Sequence, residues 1–288
     1  MSSFSKIIAG TMTWGIWGKN YSTSQMSDLI VEALSMGITT FDHADIYGGY
    51  TTETSFGNAF KQSKVERSSV QFVSKCGIQL PGKERPLAVK HYDYSKENII
   101  NSVELSLQNL NTDYLDLLLL HRPSPLMDPH EIASAFEQLK IQGKVKSFGV
   151  SNFTPAQMDL LCTENLIEWN QIECSLTQSE AMFNGTINHM MQNQIGVMAW
   201  SPLGSFFKND NPQKTRLKPL IKKMCEIYNA SEDQILLAWL LKHPAQIHPV
   251  VGTTQASRLK DVLDSLKIKL TLQDWFLLLE ASLGHEVP

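Results

Sequence analysis

Short runs of apolar and β-branched residues alternate along this chain with longer segments whose apolar positions recur at helical spacing. Runs such as LDLLLL and QFVS are typical of strands that are buried on both faces, as parallel strands are. The segment 95–110 instead places Ile99, Val103, Leu107 and Leu110 on one face of a helix. The pattern predicts strands at residues 7–12, 39–42, 70–74, 114–120, 146–150, 169–173, 196–200 and 248–251.

Several helix starts are also readable from the sequence. Asp128 and Thr154 each place a capping side chain directly before a proline at the first helical position. Asp128 with Glu131, and Ser231 with Gln234, have the spacing of a capping box. These signals predict that a helix follows most of the candidate strands.

Repeated strand–helix units predict a parallel sheet, and eight of them predict closure into a (β/α)8 TIM barrel. The active site of such a barrel lies at the C-terminal ends of the strands. We expect residues 1–288 to form a single domain, because no composition shift or flexible linker divides the chain. The long segments 76–93 and 201–215 follow predicted strands and should overhang the site.

The composition narrows the class of protein. A formal net charge of -4 and a pI of about 6.1 give no general attraction to nucleic acid or to an anionic membrane. No apolar run approaches the roughly 20 residues of a membrane span, and residues 1–10 lack the apolar centre of a signal peptide. The scattered cysteines lack metal-ligand spacing, so we expect reduced thiols, no metal and a cytoplasmic protein. They are Cys76, Cys162, Cys174 and Cys225.

Polar residues stand at or directly behind three predicted strands: Asp42, Lys75 and His121, with Tyr47 five residues after Asp42. The C-terminal ends of parallel barrel strands converge on one face, so these side chains can meet there. Each alone has a structural explanation, such as a cap, a solvated strand end or a turn. Together they can make a proton donor, since an amine lowers the pKa of a neighbouring phenol and an imidazole can hold a carbonyl oxygen.

Seven segments of the chain resemble the aldo-keto reductase family, and most closely its bacterial YdhF-like branch. In family order they are FDHADIYGGY, FVSKCGI, DLLLLHRPSPLMDP, GKVKSFGVSNFTPAQ, NQIECS, AWSPLG and VVGTTQASRLKDVL. The resemblance implies an NADP(H)-dependent oxidoreductase that reduces aldehydes or ketones, with a catalytic tetrad of Asp42, Tyr47, Lys75 and His121. Tyr47 would donate the proton and Lys75 would ease its release. Asp42 would position Lys75, and His121 would orient the substrate.

The same resemblance implies a cofactor site for NADP(H). Ser151, Asn152 and Gln171 match the positions that hold the nicotinamide carboxamide. Trp200 matches the aromatic residue that stacks on the nicotinamide ring. The implied cofactor-binding residues are Thr11, Met12, Asp42, Ser151, Asn152, Gln171, Trp200, Ser201, Leu203, Thr253 and Arg258.

The adenosine end of this implied site bears on the choice between NADPH and NADH. Thr253 and Arg258 match positions that face the 2′-phosphate in NADP(H)-preferring members. Arginine suits a phosphate because its planar fork can make two parallel hydrogen bonds. Gly252 stands where the family frequently has a lysine.

Two other functions stay open. A regulatory protein could keep the fold and bind the cofactor as a redox sensor with little turnover, although it has less need of all four polar groups. A barrel lyase with Lys75 as a Schiff base needs a neutral amine, which pairing with Asp42 disfavours.

The expected partner is a small-molecule carbonyl substrate that the sequence does not identify. We expect a monomer or weak homo-oligomer that binds neither nucleic acid nor membrane. Candidates to line an aromatic substrate pocket are Trp14, Trp17, Tyr50, His91 and Tyr92, and each fits core packing equally well.

Overall fold

Parallel strands form a closed barrel in the computed structural model, which describes residues 4–82, 85–162, 167–208, 210–253 and 255–287. The strands are β1 (Ile8–Gly10), β2 (Thr40–Asp42), β3 (Gln71–Cys76), β4 (Ile78–Gln79), β5 (His91–Tyr92), β6 (Leu115–Leu120), β7 (Val145–Ser151), β8 (Trp169–Glu173), β9 (Gly196–Trp200) and β10 (His248–Val251). Around the barrel the order is β1, β10, β9, β8, β7, β6, β3, β2, and neighbouring strands are parallel. This closed eight-stranded barrel confirms the predicted (β/α)8 fold.

Helices alternate with the barrel strands, and their starts largely follow the predicted caps. Asp128 and Thr154 cap their helices through their side chains. At Ser231 the predicted capping box is present, and the Gln234 side-chain oxygen accepts from the Ser231 amide at 2.9 Å. The predicted capping box between Asp128 and Glu131 is wrong, because the Glu131 carboxylate accepts a hydrogen bond from the Lys96 amide of a neighbouring helix at 2.9 Å. The helices are α1 (Thr23–Ser35), α2 (Thr52–Ser63), α3 (Lys96–Leu110), α4 (Pro129–Ile141), α5 (Pro155–Cys162), α6 (Thr186–Gln192), α7 (Pro212–Tyr228), α8 (Glu232–Leu241), α9 (Ala256–Asp264) and α10 (Leu272–Leu283).

Alternate residues of a barrel strand face two different apolar layers, which explains the unbroken apolar run Leu117–Leu120. In β6, Leu117 and Leu119 join the layer inside the barrel, whereas Leu118 and Leu120 join the layer between barrel and helices. Each fully buried leucine contributes about 1.5–3 kcal/mol relative to an exposed one. Phe4, ahead of β1, also belongs to the inner layer.

The two long segments after β3 and β9 are more ordered than the sequence indicates. Segment 76–93 contains the antiparallel hairpin of β4 and β5, and α7 begins at Pro212 within segment 201–215. Ile78 of the hairpin packs against Ala44 and Ile46, in the loop that carries Tyr47. The hairpin therefore supports the C-terminal face of the barrel.

Candidate active site

A buried ion pair joins β2 to β3 at the C-terminal face. Asp42 is in register with Val73, whose side chain lies inside the barrel, so Lys75, two residues further, points to the same interior. The Lys75 Nζ atom lies 2.7 and 2.8 Å from the two Asp42 carboxylate oxygens and 2.7 Å from the His43 carbonyl oxygen. Lys75 is a residue of β3 itself, whereas the sequence predicted it directly behind the strand.

Tyr47 lies on the loop after β2, and its phenol oxygen is 3.3 Å from Lys75 Nζ. The loop turns through Gly48 and Gly49, both with positive φ. A Cβ atom on Gly48 would lie 2.5 Å from Thr52 Oγ1, so this turn requires glycine. The glycine pair therefore sets the direction in which the phenol leaves the loop.

His121 follows β6 and completes the predicted group of four residues. Its ring centroid lies 6.1 Å from that of Tyr47 in an edge-on arrangement. Its backbone amide binds the Cys76 carbonyl oxygen at 3.0 Å, which extends the pairing of β3 and β6. Its Nδ1 atom is buried and has no hydrogen-bond partner among the described residues.

Burial dominates the electrostatics of these side chains. Burial raises the pKa of Tyr47 above its ordinary value of 10.0, and the charge of Lys75 only partly offsets this rise. The net shift is opposite to the lowering expected from the sequence, because the desolvation of the phenol outweighs its cationic neighbour. Burial alone would lower the pKa of Lys75, but the Asp42 carboxylate raises it, and the net shift is upward. Burial and the charge of Lys75 hold the pKa of His121 well below 6.5, so its imidazole is neutral at pH 7.

A chain of hydrogen bonds connects the Asp42 carboxylate to most of the predicted nicotinamide-binding residues. The Gln171 amide nitrogen donates to Asp42 at 2.8 Å. The Ser151 hydroxyl donates to the Gln171 carbonyl oxygen at 2.9 Å and accepts from the Asn152 amide nitrogen at 2.8 Å. The Trp200 indole N–H donates to the Asn152 side-chain oxygen at 2.9 Å. These contacts fix the plane of the half-buried Trp200 ring at the end of β9.

Thr11 and Met12 lie at the end of β1 with different exposures. The Thr11 hydroxyl is buried and contacts the Asp42 carbonyl oxygen at 3.0 Å and His43 Nδ1 at 2.9 Å. These contacts occupy the hydroxyl with the neighbouring strand. Met12 is 47% exposed. Sequence reasoning missed His43, whose buried ring packs edge-on against Phe56 at 4.3 Å.

Ser201 and Leu203 lie on the loop that follows Trp200. Ser201 has a positive φ, and its carbonyl oxygen accepts from the Gly204 amide at 2.7 Å. The Thr177 hydroxyl accepts from the Ser205 amide at 3.0 Å. The loop is thereby tied to the segment after β8.

Thr253 and Arg258 lie beyond β10 at the start of α9. The Thr253 hydroxyl accepts from the Gln255 amide at 3.4 Å. Arg258 is in the first turn of α9 and is exposed to solvent. A cation there is not stabilised by the helix dipole, which favours negative charge at this end.

Among the aromatic candidates for the substrate pocket, Trp17 alone has a ring contact with the proposed proton donor among the described residues. Its ring centroid lies 6.3 Å from that of Tyr47. For Trp14 the alternative of core packing holds, because its side chain is fully buried against Phe41 and Phe56 in the core beneath the helices. Tyr50 is bonded to the hairpin, with its hydroxyl accepting from the Leu80 amide at 2.9 Å.

The polar groups at this mouth fit a nicotinamide cofactor. Ser151, Asn152 and Gln171 present hydroxyl and amide groups, which suit a carboxamide. The Trp200 ring offers a fixed flat surface beside them. Among the described residues, no group of three or more His, Cys, Asp and Glu side chains is arranged to hold a metal ion.

A parallel barrel with a buried lysine–carboxylate pair next to a phenol and a neutral imidazole defines a class of oxidoreductases. The chain belongs to the aldo/keto reductase family, whose sequence model matches residues 6–281. This match confirms the resemblance predicted from the sequence motifs. No helix in the described part of the chain is both long and apolar enough to cross a membrane.

Individual relatives support the same assignment. The chain is 41% identical to the oxidoreductase YdhF of Escherichia coli over 99% of its own length and 96% of the relative's. It is 38% identical to a 6-dehydroglucose reductase of Agrobacterium fabrum, with 98% and 97% of the two chains covered. The solved structure of the thermostable aldo-keto reductase Tm1743 with the inhibitor epalrestat superposes with a TM-score of 0.81 at 26% identity, covering 96% and 94% of the two chains. The predicted likeness to YdhF is thus confirmed.

Proposed function

We propose that this protein reduces aldehydes and ketones to alcohols with NADPH, and that Asp42, Tyr47, Lys75 and His121 form its catalytic tetrad. The observation that carries the proposal is the buried Lys75–Asp42 ion pair at 2.7 Å, with the Tyr47 phenol 3.3 Å from the same amine. Such an arrangement places a polarised O–H donor at the mouth of the barrel.

The residues of the tetrad divide the chemistry between them. A bound nicotinamide supplies the hydride that reduces the carbonyl carbon. Tyr47 donates the proton that the carbonyl oxygen gains, and Lys75 stabilises the phenolate that remains. Asp42 keeps Lys75 charged and in place. His121 is neutral, so it can orient the carbonyl oxygen by a hydrogen bond without adding a second cation to the site.

The proposed cofactor contacts extend from the tetrad along the mouth. Ser151, Asn152 and Gln171 would hold the carboxamide group, and Trp200 would stack on the nicotinamide ring. Gln171 also bonds Asp42, so the carboxamide site and the proton donor are linked through one carboxylate. The backbone of 201–204 would face the pyrophosphate, and Thr253 and Arg258 the 2′-phosphate.

We also propose that residues 1–288 form one catalytic domain that works in the cytoplasm as a monomer or weak homo-oligomer. Cys76, Cys174 and Cys225 are free thiols, as a reducing compartment maintains them. Cys162 falls at the end of α5, and its side chain lies outside the described residues. The expected partner is a small-molecule carbonyl compound.

The proposal is tested by titrating the protein's tryptophan fluorescence with NADPH and NADH, followed by turnover on a panel of aldehydes, ketones and quinones. We expect saturable binding and oxidation of NADPH that depends on the carbonyl compound. Tight cofactor binding with no turnover on any compound would instead support the redox sensor. The intact tetrad and the Agrobacterium relative, which is named as a reductase, favour the enzyme.

The structure disfavours the Schiff-base lyase for a specific reason. The Asp42 carboxylate raises the pKa of Lys75 above its ordinary value. The amine is therefore protonated at neutral pH and has no free electron pair to attack a carbonyl carbon.

Arg258→Ala should weaken NADPH binding by about 10–100-fold, as the loss of one charge-assisted contact to phosphate predicts. NADH lacks the 2′-phosphate, so its affinity should not change. The measurement is the Kd for each cofactor at two salt concentrations, since an exposed contact weakens as salt rises. Equal affinities of the unmutated protein for NADPH and NADH would contradict this assignment.

Gly252→Lys should strengthen NADPH binding without affecting NADH. A Cβ atom at this position would meet no atom closer than Thr13 Oγ1 at 4.0 Å, so a side chain can be added without a clash. The new cation would restore the lysine that the family frequently has here, and one exposed charge contact contributes about 0.2–1 kcal/mol. Gly252→Gln is the matched control, because it adds a long side chain without charge. A similar gain in both variants would exclude a charge effect.

A further inference from the structure

Arg122 immediately follows His121 at the C-terminal end of β6. Its guanidinium carbon lies 5.3 Å from the centroid of the Trp200 ring. Burial raises the pKa of Tyr47 and the positive charge of Arg122 opposes that rise, while at His121 both burial and this charge lower the pKa. Arg122 therefore lies near the proposed proton donor, the substrate-orienting imidazole and the nicotinamide platform together.

The backbone of Arg122 is fixed by a buried tyrosine. The Tyr94 phenol donates a hydrogen bond to the Arg122 carbonyl oxygen at 2.5 Å and accepts one from the Arg122 amide at 3.0 Å. Tyr94 packs against Gly77, where a Cβ atom would lie 2.0 Å from the tyrosine ring. Both backbone groups of Arg122 are therefore held by one side chain, so its guanidinium extends from a rigid base.

The guanidinium of Arg122 has no hydrogen-bond or carboxylate partner within the described part of the chain. By contrast, Arg67 also stacks on aromatic rings but binds Asp116 at 2.7 Å. The positive charge of Lys90 also acts on His121. Burial is the largest cause of the lowered pKa of His121, and Lys90 contributes to the same shift. Arg122 is half-buried, and a charge that is partly removed from water is stabilised by a hydrogen-bonded or charged partner. An acidic ligand would complete this site.

We propose that Arg122 receives the negatively charged group of the substrate, so that the preferred substrates are aldehyde acids or keto acids. This inference rests on the proposed carbonyl reductase function and specifies its substrate class. Only the carbonyl group is reduced, and the carboxylate remains unchanged as the group that Arg122 binds. The planar guanidinium matches a carboxylate with two parallel hydrogen bonds. Trp17, 46% exposed beside Tyr47, offers an apolar wall for the body of such a substrate.

The test compares acids with their neutral methyl esters. We would measure kcat and KM with NADPH for 4-carboxybenzaldehyde and phenylglyoxylate, each beside its methyl ester, since these acids hold the carboxylate at two distances from the carbonyl. The unmutated protein should prefer the acid in at least one pair. Arg122→Met should raise the KM of that acid by about 10–100-fold and leave the ester's KM, the NADPH Kd and the melting temperature unchanged. Arg122→Lys should recover part of the loss, because it keeps the charge but not the fork.

Arg85→Met is the matched control for the loss of a cation at the rim of the barrel. Arg85 stacks on Tyr50 at 4.0 Å and binds Gln79 at 2.6 Å, so its charge already has a local role and acid preference should persist. Equal losses on acids and esters, a weaker NADPH Kd in Arg122→Met, or no acid preference in the unmutated protein would each overturn the substrate class. Turnover of the esters without acid preference would leave the carbonyl reductase function intact. A lack of turnover on both acids and esters would overturn the substrate class, and the wider panel of aldehydes, ketones and quinones then decides the carbonyl reductase function.

Discussion

Tyr47→Phe should lower kcat for carbonyl reduction by about 10²–10⁴-fold, the range that a positioned general acid contributes. The substitution removes only the hydroxyl, which lies 3.3 Å from Lys75 Nζ. The remaining ring keeps its contacts with Trp17 and His121, so the shape of the site and the affinity for NADPH should not change. The measurement is kcat on a neutral aromatic aldehyde together with the NADPH Kd from fluorescence titration.

Tyr50→Phe is the matched control for this prediction. Tyr50 lies on the same loop, and its hydroxyl binds the Ile78 carbonyl oxygen at 3.2 Å and the Leu80 amide at 2.9 Å. Losing these contacts should lower the free energy of unfolding by about 0.5–1.5 kcal/mol for each hydrogen bond, with kcat largely retained. Near-normal turnover in Tyr47→Phe, or an equal loss of kcat in both variants, would remove Tyr47 as the acid.

The barrel could be predicted from the sequence because its signal is repeated and local. Four leucines follow one another at 117–120 because Leu117 and Leu119 face the interior while Leu118 and Leu120 face the helices. Such a run is typical of a sheet covered on both sides. Helix starts such as Asp128 were equally legible. The predicted capping box at Glu131 was wrong because that carboxylate accepts a hydrogen bond from the backbone amide of Lys96, in a helix distant in sequence. Local patterns do not report such contacts.

The meeting of the four residues of the proposed tetrad could also be predicted, since it depends on strand ends converging at one face. The direction of the Tyr47 pKa shift could not, because it depends on how completely the phenol is desolvated. Arg122 and Tyr94 were missed for a related reason. Their contact joins residues 28 positions apart through the geometry of two loops. The adjacency of Arg122 to His121 was the signal in the sequence that could have identified it.

Lys75→Met should reduce kcat at least as much as Tyr47→Phe, and Asp42→Asn should reduce it somewhat less. Lys75 contacts the phenol directly, whereas Asp42 acts on the phenol through Lys75, to which both of its carboxylate oxygens are bonded. Asparagine keeps one oxygen that can still accept from the amine. The losses should not multiply in the double variant, because once Lys75 is absent Asp42 has no route to the phenol. The measurement is kcat on the same aldehyde for the two single variants and the double variant.

The effect of these substitutions on folding must be measured separately from their effect on catalysis, because the Lys75–Asp42 ion pair is buried. Removing Lys75 alone leaves an uncompensated carboxylate, and breaking a buried ion pair costs about 3–5 kcal/mol. Asp42→Asn in the Lys75→Met background removes that charge, so the double variant should be more stable than Lys75→Met while remaining as inactive. Stability is followed by the denaturant midpoint of each protein, and the Gln171 contact with Asp42 is monitored through the NADPH Kd. A double variant whose loss of kcat equals the product of the single losses would show that Asp42 and Lys75 act on the reaction independently.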